Sequence, residues 1–285
     1  MRLDRATISL EPRSVGHCLD LATSFMATHA PPLIGVSGLA AVPVCIFVTL
    51  WCHDRRGAWW MAALACLIMT APLGVLLVRG VAEQTFGEPL TWQTLLRSPA
   101  SLVRLTLQVL AARVAIVAGG LLCGLPALLA ATWWGFLAES RILSHVHQRG
   151  ADQRTSPLIR AEYSDLVFRL LVLLGLGMAL WILMVLTLDA GVTVVWGSSP
   201  LIGRLSVLGQ DIGIEADFDV YWHDALTLLT HDRAALLLQV AAFFVIYPII
   251  RIAWYFCYID LRVRRDCWDV ELELIRAARQ LESQS

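Results

Sequence analysis

Two long stretches of the sequence, 31–52 and 57–78, contain no charged residue. Each is long enough to cross the roughly 30 Å hydrocarbon core of a bilayer as an α-helix, which rises about 1.5 Å per residue. Hydrophobic residues make up 58% of the chain and charged residues 16%, and the mean hydropathy is +0.66. These values exceed those of a soluble domain. The sequence therefore predicts an integral membrane protein.

Further apolar segments extend this pattern to a bundle of six transmembrane helices. Segment 105–138 carries a single charge, Arg113, and as one helix it would be about 50 Å long, too long for one crossing. The glycines between 119 and 124 and the following Pro126 favour a break, so we predict a hairpin of two spans here. The six predicted spans are 31–52, 57–78, 105–123, 126–143, 166–188 and 234–259.

The predicted fold is all-α, with one membrane domain at 31–259. An amphipathic cytoplasmic segment, 1–30, precedes it, and a cytoplasmic helix, 260–285, follows it.

All 22 basic residues are arginine, which is typical of a GC-rich bacterial genome. Arginines are concentrated in the loops that face the cytoplasm when both termini lie inside, so the acidic loop 189–233 is predicted outside the bacterial inner membrane. The basic turn 53–56 does not fit this orientation, because it would lie outside. A re-entrant pair therefore stays an alternative to two full crossings for the first two spans.

The residue types exclude several classes of chemistry. Without lysine, a phosphate-binding P-loop, a Schiff base and a pyridoxal site are excluded. No Cys-x-x-Cys spacing occurs, so we expect no disulfide framework, zinc site or cofactor. We also expect no nucleic-acid partner.

His145 and His147, and the mixed cluster in the outer loop, are interpreted as solvated residues rather than metal or acid–base sites. That cluster comprises Asp217, Asp219, His223, Asp224, His231 and Asp232.

Two arginines, Arg113 and Arg251, fall inside predicted spans, where a charged group is costly and is usually retained for a reason. Arg251 follows Pro248, whose missing N–H leaves a carbonyl free one turn earlier. One interpretation is that these arginines contact a ligand or a lipid phosphate. The other is a structural role, in which they bind helix carbonyls or a neighbouring span.

The stretch "YIDLRVRRDCWDVELEL", 258–274, places opposite charges four residues apart. Asp260 with Arg264 is the first of three such pairs, and this spacing stabilises a helix leaving the last span. Apolar residues around Trp268 exceed what a solvated helix needs, so we predict a docking surface for a protein partner. Anionic lipid is the rival partner. The predicted docking residues are Arg262, Arg264, Arg265, Trp268 and Asp269.

The same stretch resembles the Y-x-D-x-R-x-R-x-E-G-x-D-L-E signature that ends a group of uncharacterised bacterial multi-pass membrane proteins, often found near transglutaminase-like membrane proteins. Asp266 and Cys267 depart from it. "PRSVGHCLDLATSF", 12–25, is similar to that group's N-terminal helix, and "GLPALLAATWWGFLAESRIL" followed by "RGADQRTSPL" resembles its proline-broken hairpin. The resemblance implies a shared membrane fold and a role in an envelope assembly, without an activity. The matching residues are Tyr258, Asp260, Arg262, Arg264, Asp269 and Glu271.

Together these features predict a non-catalytic membrane subunit or scaffold of a bacterial envelope complex. The alternative is a transporter or lipid-handling protein that uses the intramembrane arginines, because interrupted helices and buried charge are features of substrate sites. A membrane-embedded hydrolase is the third hypothesis. The expected partners are membrane lipids and a protein in the membrane or cytoplasm, and the sequence is also compatible with a homo-oligomer.

Overall fold

A computed structural model of the chain describes residues 14–51, 58–85, 99–123, 125–144, 162–211 and 218–266. These residues form ten α-helices, and no strand occurs among them. The helices are α1 (Val15–Thr28), α2 (Ala30–Trp51), α3 (Ala58–Thr85), α4 (Pro99–Cys123), α5 (Leu125–Trp134), α6 (Leu137–Ser144), α7 (Tyr163–Trp196), α8 (Ile202–Asp211), α9 (Phe218–His231) and α10 (Arg233–Asp266).

Five of these helices, α2, α3, α4, α7 and α10, are long and apolar enough to cross a membrane. The predicted all-helical class is therefore confirmed for the described part of the chain, and the helices are compatible with a multi-pass membrane protein. The number of crossings and the side on which each terminus lies stay predictions.

Two helices flank the turn of the predicted hairpin between the third and fourth spans; Gly124, between them, lies outside the described residues, and the hairpin stays a prediction. Helix α4 ends at Cys123 and α5 begins at Leu125. The segment predicted as the fourth span, 126–143, consists of two short helices, α5 with 10 residues and α6 with 8. Neither reaches the roughly 20 residues that a single crossing needs.

Helices α7 and α10 extend well beyond their predicted spans. Each has 34 residues and is about 51 Å long, whereas the hydrocarbon core is about 30 Å thick. The end of α7, together with α8 and α9, occupies much of the segment predicted as the outer loop, 189–233.

The chain divides into two compact units. Unit 1 draws on Met1–Val36, Ala71–Leu174 and Pro248–Ser285. In this unit the side chain of Ser14 accepts a hydrogen bond from the backbone N–H of His17 (3.4 Å), which caps α1 and satisfies one of its free amides. Helix α1 buries one face, as expected of an amphipathic helix; the buried residues are Cys18, Ala22 and Phe25.

Apolar contacts among α3, α4 and α6 form part of the core of unit 1. Val75, Leu105 and Ala138 are buried together, one from each helix. An aromatic group lies elsewhere in the unit, where the ring of Phe136 stacks on Trp254 with centroids 4.5 Å apart. Tyr258 packs on the same Phe136 ring at 5.1 Å.

Unit 2 consists of Ser37–Thr70 and Gly175–Tyr247. Its core includes Val185, Leu201 and Ala235. Partly buried polar groups in this unit bond to backbone carbonyls: Trp181 Nε1 donates to the Gln239 carbonyl (3.0 Å) and the Tyr247 hydroxyl to the Thr70 carbonyl (3.0 Å).

Asp189, near the end of α7, caps the start of α8 in unit 2. Its carboxylate accepts hydrogen bonds from the Ser199 hydroxyl (2.7 Å), the Leu201 N–H (2.8 Å) and the Ile202 N–H (3.1 Å). A negative charge at a helix N-terminus is favourable, because the first N–H groups have no partner within the helix. The carboxylate therefore has a structural role.

Candidate functional site

A buried ion pair joins α6 to α10 inside unit 1. Glu139 Oε1 lies 2.6 Å from Arg251 Nη1, and the side chain of Glu139 is 0% exposed while that of Arg251 is 12% exposed. Arg113, on α4, also acts electrostatically on the Glu139 carboxylate. The two arginines singled out in the sequence are thus both associated with one carboxylate.

The turn between α5 and α6 places Glu139 against α10. Trp254 Nε1 donates a hydrogen bond to the Gly135 carbonyl (3.1 Å), which fixes the turn one residue before the stacked ring of Phe136. A Cβ at Gly135 would lie 2.5 Å from the Ala131 carbonyl oxygen and 3.0 Å from the Trp254 ring. Only glycine fits this approach without displacing its neighbours.

Two buried polar atoms next to this ion pair have no hydrogen-bond partner among the described residues. They are Glu139 Oε2 and the Tyr255 hydroxyl, and both residues are 0% exposed. Tyr255 lies one turn after Arg251 on α10. Its hydroxyl is close enough to interact with the Thr85 side chain of α3, although no hydrogen bond of good geometry joins them, and it interacts electrostatically with Glu139. Because buried polar groups in proteins are normally hydrogen-bonded, such a pair of atoms is a candidate binding position.

A second carboxylate in unit 1, Glu83, has a different environment. It pairs with Arg79 one turn earlier on α3, with Oε1 3.0 Å from Nε, and its Oε2 is also buried without a hydrogen bond in the described structure. This pair is local to one helix. Glu83 therefore serves as a natural comparison for Glu139.

A second buried ion pair in unit 1 joins α7 to α10. Arg169 Nη1 donates to Asp260 Oδ2 (2.7 Å), and Arg169 Nε donates to Asp165 Oδ2 (2.7 Å). Arg264 Nε lies 3.1 Å from the same Asp260 oxygen. This last contact is one of the three i,i+4 pairs expected from the sequence.

The predicted docking residues occupy different environments. Arg262 is 5% exposed, and its Nε donates to the Tyr258 hydroxyl (3.1 Å) inside unit 1. Arg264 has an exposed side chain. The side chain of Arg265, and all of Trp268 and Asp269, lie outside the described residues. Docking through this stretch stays a prediction, while Arg262 has an internal partner.

The mixed acid–imidazole cluster of the predicted outer loop is only partly described, since Asp217 and the side chain of Asp219 lie outside the described structure, as do His145 and His147. In the described part, Asp232 accepts a hydrogen bond from the Ala235 N–H (3.0 Å) and pairs with Arg204. These contacts cap α10. Across the described residues, no group of three or more His, Cys, Asp or Glu side chains could hold a metal ion.

Neither a protein-family model, nor a curated protein, nor a solved structure is significantly similar to this chain. The function therefore has to be argued from the residues and contacts of unit 1 and unit 2 themselves.

Sequence reasoning identified the arginines of the buried cluster but missed their acidic partner. Glu139 and Arg169 both lie within predicted spans: Arg169 is the only charge of 166–188, and Glu139 shares 126–143 with Arg141. A usable signal was present, because a buried arginine needs a counter-charge, and an acid within a neighbouring span is the nearest source. Which acid meets which arginine depends on tertiary packing.

Proposed function

We propose that the chain is a non-catalytic membrane subunit of a bacterial envelope complex and that it binds another membrane protein through α7. The observation that carries this proposal is an exposed stripe on α7 within unit 2. Gly175 and Ala179, four residues apart, are both exposed on this stripe. Two small residues at this spacing allow another helix to approach closely in a membrane.

Large apolar side chains surround these small residues. Met178 is 57% exposed and Ile182 is 49% exposed, and only 11% of the most apolar part of α7 is buried. A Cβ at Gly175 would meet nothing within 4 Å. The stripe is thus open to whatever surrounds the chain, and a partner helix would gain van der Waals contact along it.

The buried charges support a structural rather than a transport role. Arg251 pairs with Glu139 and Arg169 pairs with Asp260. An arginine whose charge is neutralised inside the chain is less available to an anionic substrate, since the substrate would have to displace the carboxylate. We therefore favour the scaffold over the transporter.

Photo-crosslinking in intact membranes tests the proposal. A photoreactive residue at Met178 should crosslink to a protein, and Gly175→Leu should reduce that product at least several-fold because its side chain blocks close helix approach. Gly191→Leu is the matched control, because Gly191 is also an open glycine of α7 and should leave the product unchanged. Crosslinks to lipid alone would contradict the proposal, and crosslinks to a second copy of the chain would specify a homo-oligomer.

The alternative, a transporter or lipid-handling protein, is favoured by one observation. Glu139 Oε2 is buried beside Arg251 without a hydrogen bond in the described structure, as expected of a site that exchanges partners. Under this hypothesis Arg251→Gln removes a copurifying anion from a protein that still inserts and stays folded. The membrane-embedded hydrolase has no supporting contact among the described residues.

We further propose that the chain resides in the bacterial cytoplasmic membrane with both termini in the cytoplasm. The distribution of arginines among the predicted loops supports this orientation. Cysteine labelling at Ser206, which is exposed, and at Ser283 tests the orientation. Membrane-impermeant reagent should modify the two positions from opposite sides, and modification of both from the same side would exclude this topology.

A further inference from the structure

Two unsatisfied atoms of unit 1 belong to neighbouring side chains. Glu139 Oε2 and the Tyr255 hydroxyl are buried and have no hydrogen-bond partner among the described residues, while Arg251 Nη1 lies 2.6 Å from the other carboxylate oxygen, Oε1. We propose that Glu139 is a proton-binding site within unit 1 and that Tyr255 shares the bound proton. This proposal is independent of the partner-binding function proposed above.

The chemistry of the two groups allows a hydrogen bond in either protonation state. An ionised carboxylate only accepts hydrogen bonds, whereas a tyrosine hydroxyl both donates and accepts. With Glu139 ionised, the Tyr255 O–H is able to donate to Oε2. With a proton taken from the aqueous phase onto Oε2, the new O–H donates to the Tyr255 oxygen, and Tyr255 remains neutral.

The charges around the site favour a proton over a metal cation. Glu139 supplies the one carboxylate of the group, and two arginines oppose the entry of a divalent ion. A metal ion also needs several oxygen or nitrogen ligands. A proton needs neither a cavity nor further ligands. The charged, titratable or hydroxyl groups that interact with Glu139 or Tyr255 are Arg251, Arg113, Tyr258 and Thr85.

The position along α10 is consistent with a site far from either helix end. Arg251 lies about 27 Å along the helix from Arg233 and about 22 Å from Asp266, at 1.5 Å per residue. An ionisable group at such a position in a membrane chain is costly and typically marks a proton or ion pathway. Glu139, as the partner of Arg251, shares this position.

Infrared difference spectroscopy of the full chain in phosphatidylcholine vesicles tests the proposal directly. The pH is varied between about 4 and about 9, the interval between ordinary carboxyl and tyrosine titration. The expected result is a carboxylic-acid C=O band that appears as the pH falls, is lost in Glu139→Gln and persists in Glu83→Gln. Glu83 is the matched control because it too is a buried carboxylate paired with an arginine.

Tyr255→Phe leaves the ion pair of Glu139 and Arg251 in place, so it tests the shared proton even if Glu139→Gln does not fold. Removal of the hydroxyl should shift both the frequency of the band and its midpoint, because the protonated carboxyl loses its hydrogen-bond acceptor. Absence of the band in the native chain, or its survival in Glu139→Gln, would overturn the site. An unchanged band in Tyr255→Phe would overturn the shared proton.

Discussion

Arg169 Nη1 lies 2.7 Å from Asp260 Oδ2, and this ion pair connects residues 91 positions apart in the chain. Both residues are buried in unit 1, with 5% and 2% of their surfaces exposed. Asp260 belongs to the stretch interpreted from sequence as a charged helix leaving the membrane. In the structure its carboxylate faces inward and holds α7 against α10.

We expect Asp260→Asn to lower the free energy of unfolding by about 3–5 kcal/mol, because it leaves a buried guanidinium without its counter-charge. Asp165→Asn is the matched control, since Asp165 contacts the same Arg169 but has a side chain that is 41% exposed. Its loss should cost about 1 kcal/mol or less. Chemical unfolding in detergent, followed by circular dichroism, measures both; equal effects would show that burial of the pair is unimportant.

The pair of Arg251 and Glu139 should behave as one unit in a double-mutant cycle. Arg251→Gln removes the counter-charge of the buried Glu139 carboxylate, at a cost of up to about 3–5 kcal/mol. Glu139→Gln added to Arg251→Gln should recover a large part of that loss, because no charge is then left uncompensated. Additive effects in the same unfolding assay would mean that the two side chains do not depend on each other.

Gly135→Ala should destabilise the chain by about 1–3 kcal/mol, the usual cost of forcing an extra methyl group into a packed site. Its Cβ would lie 2.5 Å from the Ala131 carbonyl oxygen. Gly38→Ala, in α2, adds a Cβ with nothing within 4 Å and should stabilise its helix by up to about 1 kcal/mol. Thermal unfolding compares them, and a stable Gly135→Ala variant would contradict the close packing of Trp254 on this turn.

The C-terminal docking prediction now concerns residues other than Arg262, which is internal. We expect the double variant Arg264→Lys and Arg265→Lys to bind a protein partner more weakly. The loss of binding free energy should be about 1.5–3 kcal/mol for each charged hydrogen bond lost. Binding to anionic vesicles should persist, since lysine keeps the charge. Copurification and vesicle flotation separate the two partners; retention of a protein partner in this variant and in Trp268→Ala would refute docking.

The sequence predicted where apolar helices occur but not which charges meet. Helix α2 matches the uncharged stretch 31–52 almost residue for residue, because hydropathy is a local property of the chain. Helix α3 continues beyond the predicted end at 78, through Arg79 and Glu83, whose i,i+4 ion pair supports another turn. The contact of Arg169 with Asp260 depends on packing between distant segments, and a single sequence contains no record of it.

The local contact between Arg169 and Asp165 has a consequence for the order of synthesis. A ribosome adds about 5–20 residues per second, so roughly 5–18 s pass between Arg169 and Asp260, its partner 91 residues later. During that interval the arginine would enter the bilayer without its tertiary partner. Asp165, one turn away on the same helix and 2.7 Å from Arg169 Nε, supplies a counter-charge from the start. The nascent α7 thus carries its own neutralising acid until α10 emerges.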